Sequence, residues 1–422
     1  MSSPLDSDIL PDLIIANARI FDGVDSELVE GHILIAGDRI VSIEKGGKVP
    51  TGMRVLDVRG RFVMPGLIDA HIHAYLADLN IYKSDRMPIT LVSQRAHVVL
   101  SRMLSRGFTT VRDVGGADHG LAQAIEAGWL KGPRLFYCGK ALSQTGGHGD
   151  MRSAAEDLCL CGHGQTHHGY VGHLTRTADG VDEIRVAMRE NFRQGATFIK
   201  IMGSGGASSV ADQLKRAQFA RDEIEAIVDE AERHGAYVTA HCHPDEAIRR
   251  CAELGVHCIE HGTMISDDTA HFLAEKGTAV VPTLSVIRAL TRQGPTLGYP
   301  PESLVKLAEF APLAMASVEK LERAGVTIGF GTDLMGELET QQCLEFEVRG
   351  EIQKPVDVLR SATSLNAKIL RVDDRLGKIA PGYIADLIAI DRSPLEDLGV
   401  FDTEGSALSL IVKAGAIIRD TL

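Results

Sequence analysis

Three features that would assign a chain to a large class of proteins are missing from this sequence. Its 44 lysine and arginine residues are outnumbered by 57 aspartate and glutamate residues, which gives a formal net charge of −13. Because a nucleic-acid-binding surface needs stripes of lysine and arginine, this balance argues against a nucleic-acid partner. The longest apolar runs have only the length of a β-strand, so the sequence predicts no transmembrane helix and no membrane partner. The polar, acidic N-terminal residues also lack the basic and apolar regions of a signal peptide.

Cysteine is scarce as well. The chain has seven cysteines, an odd number, which indicates free thiols in a reducing cytosol rather than a disulfide framework. We therefore expect a cytoplasmic protein. Its 422 residues, of which 44% are apolar and 24% are charged, are ordinary for a globular protein and sufficient for two to three domains.

Both ends of the chain have the pattern of short β-strands. Residues 12–64 contain β-branched, partly alternating runs separated by Asp-Gly and Gly-Asp turns, without a helical pattern. Similar runs return after residue 376. We expect residues 1–62 and 375–422 to form one small β-sandwich, with a separate domain at residues 63–374 inserted between them.

The central segment alternates short strands with amphipathic helices. A glycine repeatedly precedes a short apolar run that ends in a polar or metal-binding type of residue. The eight runs lie at residues 65–73, 108–113, 133–138, 196–200, 236–241, 256–261, 278–283 and 326–333. A helix is expected at residues 221–234, where apolar residues follow helical spacing and Gly235 is typical of a helix C-terminus. Eight repeats favour an α/β fold with a (β/α)8 TIM-type barrel over a three-layer α/β sandwich, which has a similar local pattern.

Six residues with metal-binding chemistry lie at the ends of these runs. They are His71, His73, Lys200, His241, His261 and Asp333. His71 and His73 are two residues apart on a predicted strand, so their side chains point the same way. Each residue alone has a simpler explanation, as a hydrogen-bonded core histidine or a lysine at the rim. Because the working residues of a (β/α)8 barrel lie at the C-terminal ends of its strands, the six together predict one shared site.

Two motifs carry a family resemblance. The chain resembles the amidohydrolase superfamily in two motifs and in the order of the site residues between them. The first motif is Met-Pro-Gly-Leu-Ile-Asp-Ala-His-Ile-His at residues 64–73, and the second is Pro-Gly-Tyr-Ile-Ala-Asp-Leu at residues 381–387. The resemblance covers nearly the whole chain and implies two divalent metal ions, usually zinc. The residues implied to bind the first ion are His71, His73 and Asp333, and those implied to bind the second are His241 and His261, with a CO2-carboxylated Lys200 and a hydroxide bridging both.

The chemistry of these residue types agrees with that assignment. Neutral imidazoles and carboxylates suit Zn2+. Two dications would repel an ammonium group, whereas a carbamate on Lys200 is an anion that can bridge them. Asp333 is expected to act as the general base and then as the general acid. The predicted reaction is the hydrolysis of an amide or related C–N bond.

Within the superfamily, the chain is most similar to the imidazolonepropionase-like and Xaa-dipeptidase (prolidase-like) branch. That branch includes enzymes that cleave N-acyl amino acids such as ochratoxin A, a phenylalanine amide. The resemblance therefore implies a small-molecule amide substrate, either an N-acyl amino acid of the ochratoxin A type or a dipeptide-like compound. It also implies a homo-oligomer, for which an octamer is one candidate.

Four residues are expected to contact this substrate: His148, His243, Arg249 and Leu334. His148, in a glycine-rich segment after the third strand, is expected near the substrate carbonyl and, like His243, in a catalytic role. Dipeptidase relatives often carry a tyrosine where His243 stands and an arginine six residues later, here Arg249, to hold the substrate carboxylate. The replaced tyrosine leaves open a different acid or a bulkier substrate, and Arg249 has the alternative of a surface position on its helix.

Several alternatives remain open at this level. They are an Xaa-Pro or Xaa-Arg/Lys dipeptidase, a cyclic amide or imidazolone hydrolase, an isomerase or lyase, and a catalytically silent scaffold. Imidazolonepropionases are typically mononuclear and lack the bridging lysine, so Lys200 argues against that activity, and the complete ligand set argues against a silent scaffold. The histidine- and cysteine-rich stretch at residues 148–177 is expected to form a lid over the active site. A separate zinc site is the alternative for that stretch.

Overall fold

A computed structural model of the chain describes residues 11–49, 52–153, 172–209 and 212–422. The strands in these ranges are β1 (Leu13–Ile20), β2 (Val29–Ala36), β3 (Arg39–Lys45), β4 (Arg54–Asp57), β5 (Phe62–Pro65), β6 (Leu67–Ile72), β7 (Phe108–Asp113), β8 (Arg134–Tyr137), β9 (Ala141–Ser143), β10 (Thr175–Thr177), β11 (Ile199–Met202), β12 (Val238–Pro244), β13 (Cys258–Met264), β14 (Ala279–Val281), β15 (Leu387–Ile390), β16 (Leu408–Lys413) and β17 (Ala416–Asp420).

The α-helices of the same ranges mostly follow the strands of the central segment. They are α1 (Ile81–Asp85), α2 (Ile89–Ser105), α3 (His119–Glu126), α4 (Gly180–Arg193), α5 (Arg221–Arg233), α6 (Asp245–Glu253), α7 (Asp267–Lys276), α8 (Leu284–Gln293), α9 (Pro301–Phe310), α10 (Ala314–Ala324), α11 (Leu344–Gly350), α12 (Pro355–Arg360) and α13 (Asn366–Ile369). None of the helices in the described ranges is both long and apolar enough to cross a membrane.

The chain divides into two compact units. One takes the described residues of Met1–Asp69 together with Arg102–Thr110 and Arg349–Leu422, and the other takes Ala70–Ser101 and the described residues of Val111–Val348. The first unit thus includes helical residues from Arg349 onwards, which the predicted boundary at residue 374 assigned to the central domain.

In the first unit, strands from both ends of the chain form one hydrogen-bonded sheet. Its order is β17-β16-β15-β5-β1-β2-β3, and β4 pairs with β1 off this path. The two ends meet where β5 runs antiparallel to β15, with Met64 opposite Ile388. Alternate residues of β1, such as Leu13 and Ile15, are buried in an apolar cluster with residues of β2 and β15, because side chains of a strand alternate between its faces.

The second unit contains a parallel sheet in the order β10-β9-β11-β12-β13-β14. Lys200 is opposite Thr239, and His241 is opposite Glu260, so the carboxyl ends of these strands lie at the same edge. Neighbouring predicted strands are also linked, because the amide of Thr197 donates to the carbonyl of Tyr137 at 3.0 Å. These pairings place Lys200, His241 and His261 on three neighbouring strands of one sheet.

The last predicted strand, residues 326–333, is only partly extended. It forms a single parallel bridge, from Ile328 to Val280 of β14. On its other side, the amide of Ala70 in β6 donates to the carbonyl of Phe330 at 2.8 Å. The segment therefore lies between β14 and β6, as expected of the eighth strand, but ends in an irregular turn at Asp333 with φ of 53°.

The helix predicted at residues 221–234 is confirmed. Helix α5 buries Ile224, Ile227 and Ala231 on one face. Gly235 follows it with φ of 67°, a left-handed conformation that glycine adopts without a steric cost.

Gly331 allows a close approach beside the predicted metal ligands. A Cβ atom there would lie 2.4 Å from Cγ1 of Val281 and 2.7 Å from Cβ of His71. Real Cβ atoms essentially never come so near, and both neighbours are held in strands. The absence of a side chain at residue 331 therefore sets the spacing between β14, the 326–333 segment and β6.

We expect Gly331→Ala to destabilise the protein by about 1–3 kcal/mol, because an added methyl group overpacks a filled interior. Urea unfolding followed by circular dichroism measures this change. Gly120→Ala is the matched control, since Gly120 is exposed near the start of α3 and its Cβ would meet only a side-chain oxygen of Asp118 at 3.3 Å. Equal unfolding midpoints for Gly331→Ala and the unchanged protein would contradict this account.

Candidate active site

The six predicted metal-binding residues line one pocket. They are His71, His73, Lys200, His241, His261 and Asp333. Strands β6, β11, β12 and β13 and the residue after β6 supply the histidines and the lysine, and the turn after Phe330 supplies the aspartate. The structure therefore brings together all of the residues that the sequence grouped by their positions at strand ends.

Three of these residues form a compact ligand set. Asp333 Oδ1 lies 3.3 Å from Nε2 of His71 and 3.4 Å from Nε2 of His73. One ligand atom from each of the three residues lies within 4.8 Å of the others, so the group could hold a metal ion. Burial disfavours the carboxylate of Asp333, but the His71 imidazole beside it outweighs this effect and holds its pKa well below the usual range.

The imidazoles are oriented by partners on their other nitrogen. Nδ1 of His71 is 2.6 Å from Oε2 of Glu260, Nδ1 of His73 is 2.9 Å from the carbonyl oxygen of Gly115, and Nδ1 of His261 is 2.8 Å from Oγ1 of Thr283. Each partner leaves Nε2 available as a ligand atom. Metal-binding histidines in proteins are typically held in this way, so the donor set fits a divalent ion.

Glu260 is the buried centre of this arrangement and was not among the predicted site residues. Its side chain is fully buried, and its Oε1 accepts a hydrogen bond of 2.6 Å from Nη2 of Arg112 as well as one from Oγ1 of Thr239. Burial alone would raise the pKa of the Glu260 carboxyl, but Arg112 and His71 outweigh it and lower the pKa. A charged residue inside the apolar run of β13 was the available signal in the sequence.

The other predicted ligands lie on the adjoining wall. The rings of His241 and His261 have centroids 4.7 Å apart. Nε2 of His241 lies 3.2 Å from the carbonyl oxygen of Gly205, which leaves Nδ1 as its free ligand atom. Lys200 is only 2% exposed, and burial lowers the pKa of its amine. A lowered pKa increases the fraction of the amine that is neutral, which is the form that reacts with CO2.

Three residues in or beside these strands have a left-handed backbone conformation. His261, Thr283 and Asp333 have φ of 73°, 49° and 53°, a left-handed conformation that is uncommon for residues other than glycine. Two of the three are predicted ligands, and the third holds Nδ1 of His261. Such strain persists where surrounding structure fixes it, often at functional sites.

His148 and His243 also line the pocket. Nδ1 of His243 is 2.8 Å from Oγ1 of Thr263, and its ring stacks on Phe310 with centroids 4.3 Å apart. Burial lowers the pKa of His243 to about 3, so it is neutral at pH 7. A neutral imidazole at this position can exchange a hydrogen bond with a substrate but carries no positive charge.

The structure does not bring Arg249 or Leu334 to the pocket. Arg249 is exposed on α6, with its guanidinium over the ring of Phe272 at 4.4 Å, and it is not one of the lining residues. The helix buries Ile248 and Cys251, so Arg249 falls on the outer face. Leu334 is buried, whereas its neighbour Met335 lines the pocket. The proposed contacts of Arg249 and Leu334 with substrate are therefore corrected, although the predicted alternative of a surface position for Arg249 agrees with the structure.

Most of the predicted lid lies outside the described residues. Cys159, Cys161, His163, His167 and His168 all fall outside the described residues. Of the described part of that stretch, His148, Met151, Leu174 and Thr175 line the pocket.

The rest of the described lining is largely apolar. Val286, Ile287 and Leu290 come from α8, and Leu307 and Phe310 come from α9. Among the described lining residues, Asp333 is the only acidic side chain, Lys200 is the only lysine and arginine does not occur. The pocket therefore combines a polar ligand cluster with an apolar wall, which is typical of small-molecule sites.

Comparisons with known proteins agree with this geometry. Residues 62–417 match the profile of the Amidohydrolase family. Ochratoxinase from Aspergillus niger is 34% identical, with 94% of this chain and 84% of the relative covered. A crystal structure of a prolidase complexed with N-methylphosphonate-L-proline is 42% identical, with a TM-score of 0.92 and coverage of 97% of this chain and 99% of that chain.

A second solved structure, a Xaa-Pro dipeptidase with bound methionine, is 31% identical with a TM-score of 0.86, over 96% of this chain and 99% of that chain. The family and these neighbours imply a TIM barrel with an additional domain. The chain therefore belongs to the amidohydrolase family, as its motifs predict, and it is a hydrolase of C–N amide bonds.

Proposed function

We propose that the protein is a two-metal hydrolase that cleaves the amide bond of an N-acyl amino acid or dipeptide-like substrate with a bulky apolar substituent, of the ochratoxin A type. The observation that carries the proposal is the juxtaposition of six metal-binding side chains with an apolar wall in one pocket. We further propose that the eight strand segments of the central domain close as a (β/α)8 barrel.

The residues divide between two ions. His71, His73 and Asp333 would hold one ion, and His241 and His261 would hold the other, with carboxylated Lys200 shared between them. Zinc is the ion that we propose, because imidazole and carboxylate ligands suit it. When bound, the two ions would supply a water of lowered pKa and polarise the scissile carbonyl.

The protein's own residues then move the proton. Asp333 is a partly buried carboxylate whose pKa is held low by His71, so it is ionised and would be able to accept a proton from the attacking water. The same carboxyl group would then pass that proton to the leaving amine. His148 and His243 lie on the pocket wall, where they would orient the substrate.

The lining favours apolar substrates over basic ones. An Xaa-Arg or Xaa-Lys dipeptide would need an acidic partner, and the described lining offers none besides Asp333. The relatives support substrates with aromatic or cyclic apolar groups, since their names refer to ochratoxin and to Xaa-Pro peptides. An Xaa-Pro dipeptidase is the second candidate, favoured by the 42% identical prolidase structure.

The first prediction concerns the bridging lysine. Lys200→Ala should lower the metal content from two ions per chain and reduce kcat/KM at least about 100-fold, because several kcal/mol of metal-dependent stabilisation is lost. Plasma mass spectrometry and steady-state kinetics measure both effects. Lys140→Ala is the control, since it removes another lysine whose pKa is lowered by burial but which does not line the pocket. Two ions and full activity in Lys200→Ala would contradict the bridging role.

The second prediction concerns the partner of His71. Glu260→Gln should weaken metal binding about 10- to 100-fold, because groups that orient a ligating histidine have effects of this size. Competition with a chelator measures the affinity. Glu230→Gln provides the control, because Glu230 is a buried carboxylate paired with Arg189 on α4 but lies outside the pocket. An equal change of metal affinity in both variants would indicate general destabilisation and would contradict the specific role of Glu260.

The third prediction concerns the substrate. With zinc supplied, kcat/KM for N-acetyl-phenylalanine should exceed that for N-acetyl-glycine at least about tenfold, because burying a large apolar side chain contributes about 1.5–3 kcal/mol. Ochratoxin A, an Xaa-Pro dipeptide, an Xaa-Arg dipeptide and an imidazolone complete the panel. Equal values for the two N-acetyl compounds, or a preference for Xaa-Arg, would contradict the proposed apolar specificity.

A further inference from the structure

A buried hydrogen-bond relay lies behind His148. Nδ1 of His148 is 2.7 Å from Oγ of Ser209 and 3.6 Å from Oδ2 of Asp212. The Ser209 hydroxyl in turn donates to Oδ1 of Asp212. Because that hydroxyl proton is directed at the carboxylate, the serine oxygen accepts from His148, and Nδ1 is the nitrogen that carries a proton.

Asp212 is itself held by a lysine from a distant helix. Lys306, on α9, donates from Nζ to Oδ1 of Asp212 at 2.9 Å. The same ammonium group donates to the carbonyl oxygens of Asp212 at 2.6 Å and of Ser209 at 2.7 Å. Asp212 is 7% exposed, so its charge is screened little by solvent and is balanced within the protein by Lys306.

The backbone leaves the ring little room to move. A Cβ atom at Gly206 would lie 2.3 Å from Cε1 of His148, so the imidazole packs directly against the main chain there. The amide of Gly206 donates to Oδ2 of Asp212 at 3.0 Å, which ties this stretch of main chain to the same carboxylate. The ring of His148 also stacks on His241, with centroids 4.3 Å apart.

We infer that Asp212 is a positioning residue that acts through Ser209 to hold His148 with Nδ1–H toward the protein and Nε2 toward the substrate, and that Lys306 fixes Asp212 in place. The inference rests on the proposed amide-hydrolase function, and it adds residues that act without lining the pocket. Since effective catalysis depends on the orientation of the groups that meet the substrate, the relay controls turnover rather than metal content.

A double-mutant cycle tests the kinetic part. Asp212→Asn should lower kcat/KM about tenfold or more in the unchanged protein and less than about twofold in a His148→Ala background, because residues that act through one another are not additive. Metal content should stay the same in all variants. An equal loss in both backgrounds would overturn the role of Asp212 as a positioning residue for His148.

A spectroscopic readout separates this inference from the proposed function. In 15N-labelled protein, Nδ1 of His148, assigned by comparison with His148→Gln, should show the chemical shift of a protonated nitrogen, and Asp212→Asn should reduce that signature. This result does not require a substrate. A protein without amidase activity would contradict the proposed function alone, whereas an unprotonated Nδ1 in the active protein would contradict the relay alone.

The lysine has a matched control. Lys306→Met should lower kcat/KM, and Lys306→Arg should restore part of it, since arginine keeps the charge and the donors. Lys320, on α10, donates to the carbonyl oxygen of Ile265 at 2.8 Å and serves as the control. Lys320→Met should leave kcat/KM unchanged within about twofold. Equal losses of kcat/KM in Lys306→Met and Lys320→Met would contradict the role of Lys306 in fixing Asp212.

Discussion

The carboxylate of Glu260 is the interaction on which the site depends. From β13 it contacts His71 of β6, Arg112 of β7 and Thr239 of β12, and it is fully buried. Removing one partner of a buried charge pair destabilises a protein by about 3–5 kcal/mol, because the other charge remains without compensation. One side chain therefore joins four strands and orients a predicted metal ligand.

The protonation of the site follows from the same burial. Burial lowers the pKa values of Lys200, His241 and His261 and so favours their uncharged forms, whereas nearby imidazoles keep Asp333 ionised. Neutral histidines and an ionised carboxylate are the forms that bind divalent metal ions. The apolar wall from α8 and α9 lines the same pocket, and under the proposed function it would exclude water and favour apolar substrates.

Much of the fold, and the grouping of the six candidate ligands in one pocket, could be predicted from the sequence. Short apolar runs bounded by glycine gave strands such as β7 and β13 within a few residues, and period 3.6 gave α5. Strand β10 was missed because Thr175–Thr177 is short and polar. The eighth segment was predicted as a full strand, but its end at Asp333 adopts a left-handed conformation that no local pattern indicates.

Residues that act through long-range contacts were the hardest to predict. Lys306 and Asp212 are 94 residues apart, and neither lies in a motif, so their ion pair becomes visible only in the folded chain. For Arg249, a substrate contact was expected because dipeptidase relatives carry an arginine at that position. The burial of Ile248 and Cys251 instead places Arg249 on the outer face of α6. The helical spacing alone would have favoured the surface position.

The most direct test of the two-metal claim is a crystal structure of the zinc-supplied protein, with diffraction data recorded on both sides of the zinc absorption edge. The account predicts two zinc peaks in the pocket, one beside His71, His73 and Asp333 and one beside His241 and His261. It also predicts density for a carboxylated Lys200 between the peaks. A single peak beside His71, His73 and Asp333, with an unmodified Lys200 amine, would contradict the account.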